Sequence, residues 1–148
     1  MNKYMEKAIE EAKRGLNNRD GGPFGAVIIK NGKIIASSHN TVLKSNDPTA
    51  HGEVNAIREA SRILKTHDLS NCVLYTTAQP CPMCLSAIIW ANIKEVYYGS
   101  DFKHTASIGF RDEAIYDYIM GKNNMIALKQ IDSFECDQLQ DEYSDKIY

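Results

Sequence analysis

Two short stretches limit what this chain can fold into: "PTAHGEVNAI", residues 48–57, and "QPCPMC", residues 79–84. Each leads from turn-prone residues into an apolar pattern with helical spacing, so each reads as a helix start. His51 and Glu53 open the first helix; Cys81 and Cys84 open the second. Taken singly, a His-x-Glu is a common surface helix start, and a C-x-x-C pair is as readily core as metal site. Thirty residues separate His51 from Cys81, and the pair together carries chemistry that neither carries alone.

The three-residue step from Cys81 to Cys84 puts two sulfurs on one helix face. A helix N-terminus presents its positive dipole end, which favours thiolate. One imidazole and two thiolates then make three donors whose charge balances Zn²⁺. No fourth candidate has diagnostic spacing. A structural zinc site closes with four protein ligands, whereas a catalytic site uses three and leaves a position for water. Glu53 stands two residues from His51, on a different side of a regular helix, so it is not expected to be a ligand. Its longer arm still reaches the neighbourhood of the metal from the first turn, which suits a general base.

The remaining sequence provides a frame of one domain over residues 1–148. It is 43% hydrophobic and 24% charged, with four prolines and no internal repeat. The net charge of −2 offers no basic field for nucleic acid or an anionic membrane. The opening "MNKYMEKAIEEAKRGL" lacks the apolar segment of a signal peptide, and "CLSAIIWANI" is too short to span a bilayer. A soluble, cytoplasmic protein is expected. Of four cysteines, Cys72 lies in an apolar run and reads as core, while Cys136 lies in a polar tail.

Helical spacing predicts a first helix over about Lys3–Leu16. "FGAVIIK" and "KIIASS" are strands joined by Asn31-Gly32, a strong hairpin signal. A loop, "NTVLKSNDPTA", precedes a helix over Glu53–Leu64. "CVLYTT" is a third strand, "CPMCLSAIIWAN" a mostly buried helix, and "EVYYGS" a fourth strand parallel to the third. "FRDEAIYDYIM" reads as a short helix, "NMIALKQI" as a fifth strand, and the acidic tail from Phe134 to Tyr148 as helix. This order predicts a three-layer α/β/α sandwich with a mixed five-stranded sheet.

With both motifs placed, the chain resembles the cytidine deaminase-like superfamily of zinc deaminases, whose signature joins H-x-E to P-C-x-x-C. "GGPFGAV", "SNDPTAH" and "GFRDE" make it most similar to the guanine deaminase branch. The resemblance implies one zinc per chain on His51, Cys81 and Cys84, and hydrolytic deamination of guanine to xanthine and ammonia. It implies that Glu53 passes a proton to ring N3 and that Asp112 helps to protonate the departing amine. Asn40 would anchor the purine by amide hydrogen bonds, and Phe24 would stack on it or wall it. It further implies a homodimer, with residues 134–148 exchanged between subunits and Tyr148 closing over a partner's base.

Other functions stay open at this stage. Guanosine or another aminated heterocycle would suit the same motif. So would tRNA adenosine, although the tail sets Glu135, Asp137, Asp141, Glu142 and Asp145 against Lys146 alone, an arrangement that repels phosphate. A non-catalytic zinc module would need a fourth ligand and would have no use for Glu53. Two departures from the superfamily pattern concern rate and substrate. Gly52 replaces the usual alanine or cysteine, at a helix cost of up to about 1 kcal/mol. Gln79 replaces a glutamate, removing a charge beside the metal.

Overall fold

A computed structural model describes residues 1–148. Helix α1 (Lys3–Asn18) begins where the Asn2 side chain accepts hydrogen bonds from the backbone N–H groups of Tyr4 and Met5, at 2.9 and 3.1 Å. Such a cap satisfies donors that the first turn leaves free. Strands β1 (Gly25–Lys30) and β2 (Lys33–His39) follow as a hairpin. Asn31 and Gly32 both take positive φ, 51° and 75°, as a tight two-residue turn requires.

A short helix α2 (Val42–Ser45) leads into α3 (Gly52–Leu64), then β3 (Cys72–Ala78), α4 (Pro82–Trp90) and β4 (Glu95–Ser100). Helices α5 (Phe102–Ser107), α6 (Asp112–Ile119) and α7 (Ser133–Asp141) complete the chain. The sheet order is β2-β1-β3-β4, with β3 and β4 parallel and the other pairs antiparallel.

Strand β1 organises the layers. Its apolar run is continuous because both faces are covered. Ala26 and Ile28 face Ala56 and Ala60 of α3, Leu74 of β3 and Ile88 of α4. Val27 and Ile29 face Ala8 of α1, with Tyr4, Met5 and Tyr75 packed around them. An α/β/α sandwich results, with α3 and α4 on one face and α1 on the other.

Three expectations need correction. The sheet has four strands, not five. The segment "NMIALKQI" is irregular, and its Met125, Ile126, Leu128 and Ile131 are 43% to 82% exposed. An apolar run becomes a strand only where another backbone completes its hydrogen bonds, and within its own chain this segment pairs with none. Helix α4 is not mostly buried: Pro82, Cys84 and Ile88 are, but Ile89 and Trp90 are each 65% exposed. The tail is helical only to Asp141, and residues 142–148 are irregular.

At Gly25, α1 comes close enough to the sheet to exclude a side chain. A Cβ there would lie 2.1 Å from the Ala8 carbonyl oxygen and 2.7 Å from the Ala12 nitrogen. Both are helix backbone atoms, so the helix itself would have to move. Gly25→Ala is expected to destabilise the fold by about 1–3 kcal/mol, the usual range for overpacking. Urea unfolding with an unchanged midpoint would refute this account of the contact between α1 and β1.

Candidate metal centre and the pocket around it

The sheet brings two helix starts together. His51 is the N-cap of α3 and Cys81 the N-cap of α4, both with extended backbone. A residue at that position stands outside the helical ladder, so its side chain can turn across the helix end. The His51 Nδ1 lies 3.4 Å from Cys84 Sγ and 3.6 Å from Cys81 Sγ. One donor atom from each of the three residues falls within 4.8 Å of the others.

Electrostatics at this junction favour a soft divalent cation. The Cys81 thiol is held down to about 4 by the Cys84 thiol donating to it, assisted by the His51 ring and the Cys84 N–H at 3.4 Å. The same contact, together with burial, pushes the Cys84 thiol up. The thiolate beside it raises His51, against the opposing effect of burial. The two sulfurs share a proton whose place a cation would take, leaving both as thiolates. An imidazole and two sulfurs form a donor set that suits zinc.

Glu53 lies behind the donors rather than among them. Only 6% exposed, it accepts a hydrogen bond from Thr76 Oγ1 at 3.1 Å on Oε1. Its Oε2 is 3.4 Å from the Cys84 sulfur. Burial raises its carboxyl above the ordinary range, with the Cys81 thiolate adding to the effect. Sequence reasoning missed Thr76, although β3 alternates buried and half-buried positions and a hydroxyl at an inward position is a usable signal.

Phe24, Asn40, Phe110 and Asp112 border a small pocket with His51, Glu53, Gln79 and Cys81. Asn40 is buried and its Oδ1 accepts from the Val42 N–H at 3.0 Å, leaving the amide NH₂ as its free donor group. The loop that carries it is tied down from two sides. The adjacent His39 ring lies 3.1 Å from a Glu11 oxygen and 2.7 Å from an Asp20 oxygen. The Asn55 amide of α3 donates to the carbonyl oxygens of His39 and Ala50. Phe24 meets Phe110 edge to face with centroids 4.9 Å apart, and sequence reasoning had no signal for Phe110. Burial raises the Asp112 carboxyl, and the Cys81 thiolate adds to the rise.

Tyr148 is not brought to this pocket within its own chain. Its ring lies 6.0 Å from those of Trp90 and His67, beside α3 and α4. Gly52 is the first residue of α3, where the interior helix penalty does not apply in full. A Cβ there would press to 3.3 Å from the Phe24 carbonyl oxygen. Gln79 accepts the Phe102 N–H at 3.2 Å, so its uncharged side chain holds the start of α5.

The donor set makes a direct expectation about metal. Cys81→Ser and Cys84→Ser should each lose zinc to dialysis against a mild chelator. Cys72→Ser, in the core cluster, and Cys136→Ser, on the exposed α7, should retain it. Metal analysis of the four proteins decides the ligand set, and loss of zinc from Cys72→Ser would overturn it.

Residues 1–100 match the family described as "Cytidine and deoxycytidylate deaminase zinc-binding region". Guanine deaminase of Bacillus subtilis (strain 168) is 50% identical over 116 residues, covering 78% of this chain and 74% of that protein. The X-ray structure of guanine deaminase from Bacillus subtilis superposes with a TM-score of 0.89 at 41% identity, covering 100% of this chain and 99% of that one. A tRNA-specific adenosine deaminase of Aquifex aeolicus (strain VF5) is 43% identical over 102 residues, 68% of this chain and 67% of that protein. With the His51, Cys81 and Cys84 donors gathered at two helix starts, this chain belongs to the cytidine and deoxycytidylate deaminase family of zinc-binding deaminases.

Proposed function

We propose that this chain is a zinc-dependent aminohydrolase that converts guanine and water to xanthine and ammonia. One observation carries the reading: a buried carboxylate, Glu53, touches the donor cluster without being one of its three donors. A purely structural site has no use for such a group. Guanine is favoured among the possible bases by the 50% identity to a guanine deaminase and by the structural match over the whole chain.

His51, Cys81 and Cys84 would hold one zinc ion per chain. Bound zinc supplies the acidity that lets a water ionise near neutral pH. Glu53, raised by burial, suits both halves of a proton shuttle. It takes a proton from the attacking water and delivers it to ring N3 as the oxygen adds to C2. The Thr76 hydroxyl fixes one of its oxygens and leaves the other for that traffic. Glu53 then takes the remaining proton from the new C2 hydroxyl and, with Asp112, passes it to the amine; the C2–N bond breaks, ammonia leaves and the oxygen stays as the C2 carbonyl. The Asn40 amide NH₂ donates to an acceptor atom of the base, while Phe24 and Phe110 wall its faces.

The same reading includes a homodimer in which residues 134–148 pass to the partner and Tyr148 covers its base. From Gly121 onward no residue of the chain is buried. Leu139, Tyr143 and Ile147 are 53% to 81% exposed, an apolar surface that a second subunit would cover. Exchange conserves contacts that would otherwise form within one chain, and a lid over the pocket excludes water from the reaction.

An RNA substrate is the second reading, favoured by the similarity to tRNA-specific adenosine deaminases. The acidic tail argues against it, since phosphate binding draws on lysine and arginine. A panel of guanine, guanosine, other aminated heterocycles and an adenosine-bearing RNA stem-loop, read by ammonia release, separates the two. Release from guanine alone is expected, and release from the stem-loop alone would replace the proposal.

Glu53→Gln should fold and retain zinc yet lose about 10²–10⁴-fold in turnover, the usual worth of a general acid–base group. Near-normal turnover in that variant would remove Glu53 from the mechanism. Deleting Tyr148 should leave zinc content and melting temperature nearly unchanged while impairing deamination. Mixing that protein with Glu53→Gln under subunit-exchange conditions should restore part of the activity, because one site of each mixed dimer has both groups. A mixture no more active than its components would show that Tyr148 does not act across the dimer.

A further inference from the structure

Helix α6 carries Asp112 into the pocket, yet it is held there by little. It has no fully buried residue, and its backbone hydrogen bonds are local to residues 111–122. Two further hydrogen bonds involve it: the Tyr118 hydroxyl donates to the Ile126 carbonyl, and the Asn123 amide donates to the Ala114 carbonyl of α6. Both link α6 to the chain just beyond it; toward α4 and α5 the helix packs through half-buried side chains. A helix so lightly packed has low local stability and is free to open without the core.

One contact breaks that pattern. The Tyr116 hydroxyl donates to the Pro80 carbonyl oxygen at 2.5 Å. Pro80 immediately precedes the donor Cys81, so this bond joins α6 to the segment that delivers a metal ligand. That segment is itself fastened: the Gln79 N–H donates to the Ser100 carbonyl at 2.7 Å, and the Gln79 side chain accepts the Phe102 N–H. The Tyr116 ring also rests against Phe102, centroids 5.6 Å apart. Asp112 and Tyr116 are four residues apart on one helix and therefore share a face.

We propose that Tyr116 is a positioning residue: its hydrogen bond to Pro80 fixes α6 against the metal loop and so holds the Asp112 carboxyl in the pocket. This deepens the reading of Asp112 as a proton-handling group and rests on it for its kinetic consequence. The mechanical part, that one hydroxyl anchors α6, stands independently of any substrate. The bond also sets a register, because a shift of α6 along its axis would break it while moving Asp112 relative to His51 and Glu53.

The test uses zinc-loaded Tyr116→Phe, which retains the ring and removes the hydroxyl alone. Hydrogen exchange read by mass spectrometry should show residues 111–120 exchanging at least several-fold faster than in the parent protein, with α3 and α4 unchanged. Zinc content and melting temperature should stay close to the parent values. Guanine turnover should fall about tenfold in kcat, with a smaller effect on KM, since the group displaced handles protons. Asp112→Asn should cost more, and Tyr116→Phe combined with Asp112→Asn should be no slower than Asp112→Asn alone, because two residues acting through one carboxyl are not additive. Unchanged exchange over residues 111–120 overturns the proposal whatever the activity, and so does a double variant whose loss is the product of the two single losses. Faster exchange in a protein whose parent form does not deaminate guanine would leave the anchor standing and remove the proposed function instead.

Discussion

The functional end of this molecule depends on two helix N-termini facing each other across a few ångströms. α3 and α4 both start on residues with extended backbone, His51 and Cys81, and both present the positive end of their dipoles to the same small volume. Alone, each end stabilises an anion by about 0.3–1 kcal/mol. Together they add to the Cys84 thiol and the His51 ring, the contacts that hold Cys81 low. The cost is that positive helix ends, a histidine and a future cation crowd one place. Anionic sulfur is what makes the meeting stable, so the ligand chemistry and the helix geometry support one another.

That meeting is placed by β1 and β3. Because β1 is covered on both faces, the helices are held to the sheet by apolar contact that does not involve the pocket at all. The polar machinery can then sit at the strand ends without carrying the fold. Glu53 illustrates the separation. A buried carboxylate is unfavourable unless it is hydrogen-bonded or neutralised, and here the Thr76 hydroxyl meets one oxygen while the other lies 3.4 Å from the Cys84 sulfur. Its raised carboxyl range follows from burial. A group shifted in that direction, next to a metal-donor cluster, is suited to exchanging protons.

Structure becomes looser with distance from β1. α6 has no fully buried residue and is tied to the metal loop by one hydrogen bond and to α5 by an aromatic contact, and no residue beyond Gly121 is buried. Elements that must move for a base to enter and leave are drawn from the least stable parts of a fold, and here they border the pocket through Asp112 and Phe110. The three metal donors and Asn40 sit on the more buried side of this gradient, and Asp112 and Phe110 on the less buried side.

The sequence by itself determined the local features. Helical spacing in α1 and α3, the Asn31-Gly32 turn, the parallel relation of β3 and β4 and the donor trio were all legible, because each follows from residues close together or from a spacing with one geometric meaning. Gly52 and Gln79 were visible as departures, but their contacts with Phe24 and Phe102 were not. Only tertiary structure decided features that depend on a partner from elsewhere in the chain. "NMIALKQI" has strand composition and no strand beside it, and Ile89 and Trp90 have core composition and solvent around them. Thr76 meets Glu53, and Tyr116 meets Pro80, across separations of 23 and 36 residues. Periodicity reports which face of an element is apolar; what comes to rest against that face is set by the packing of the whole chain.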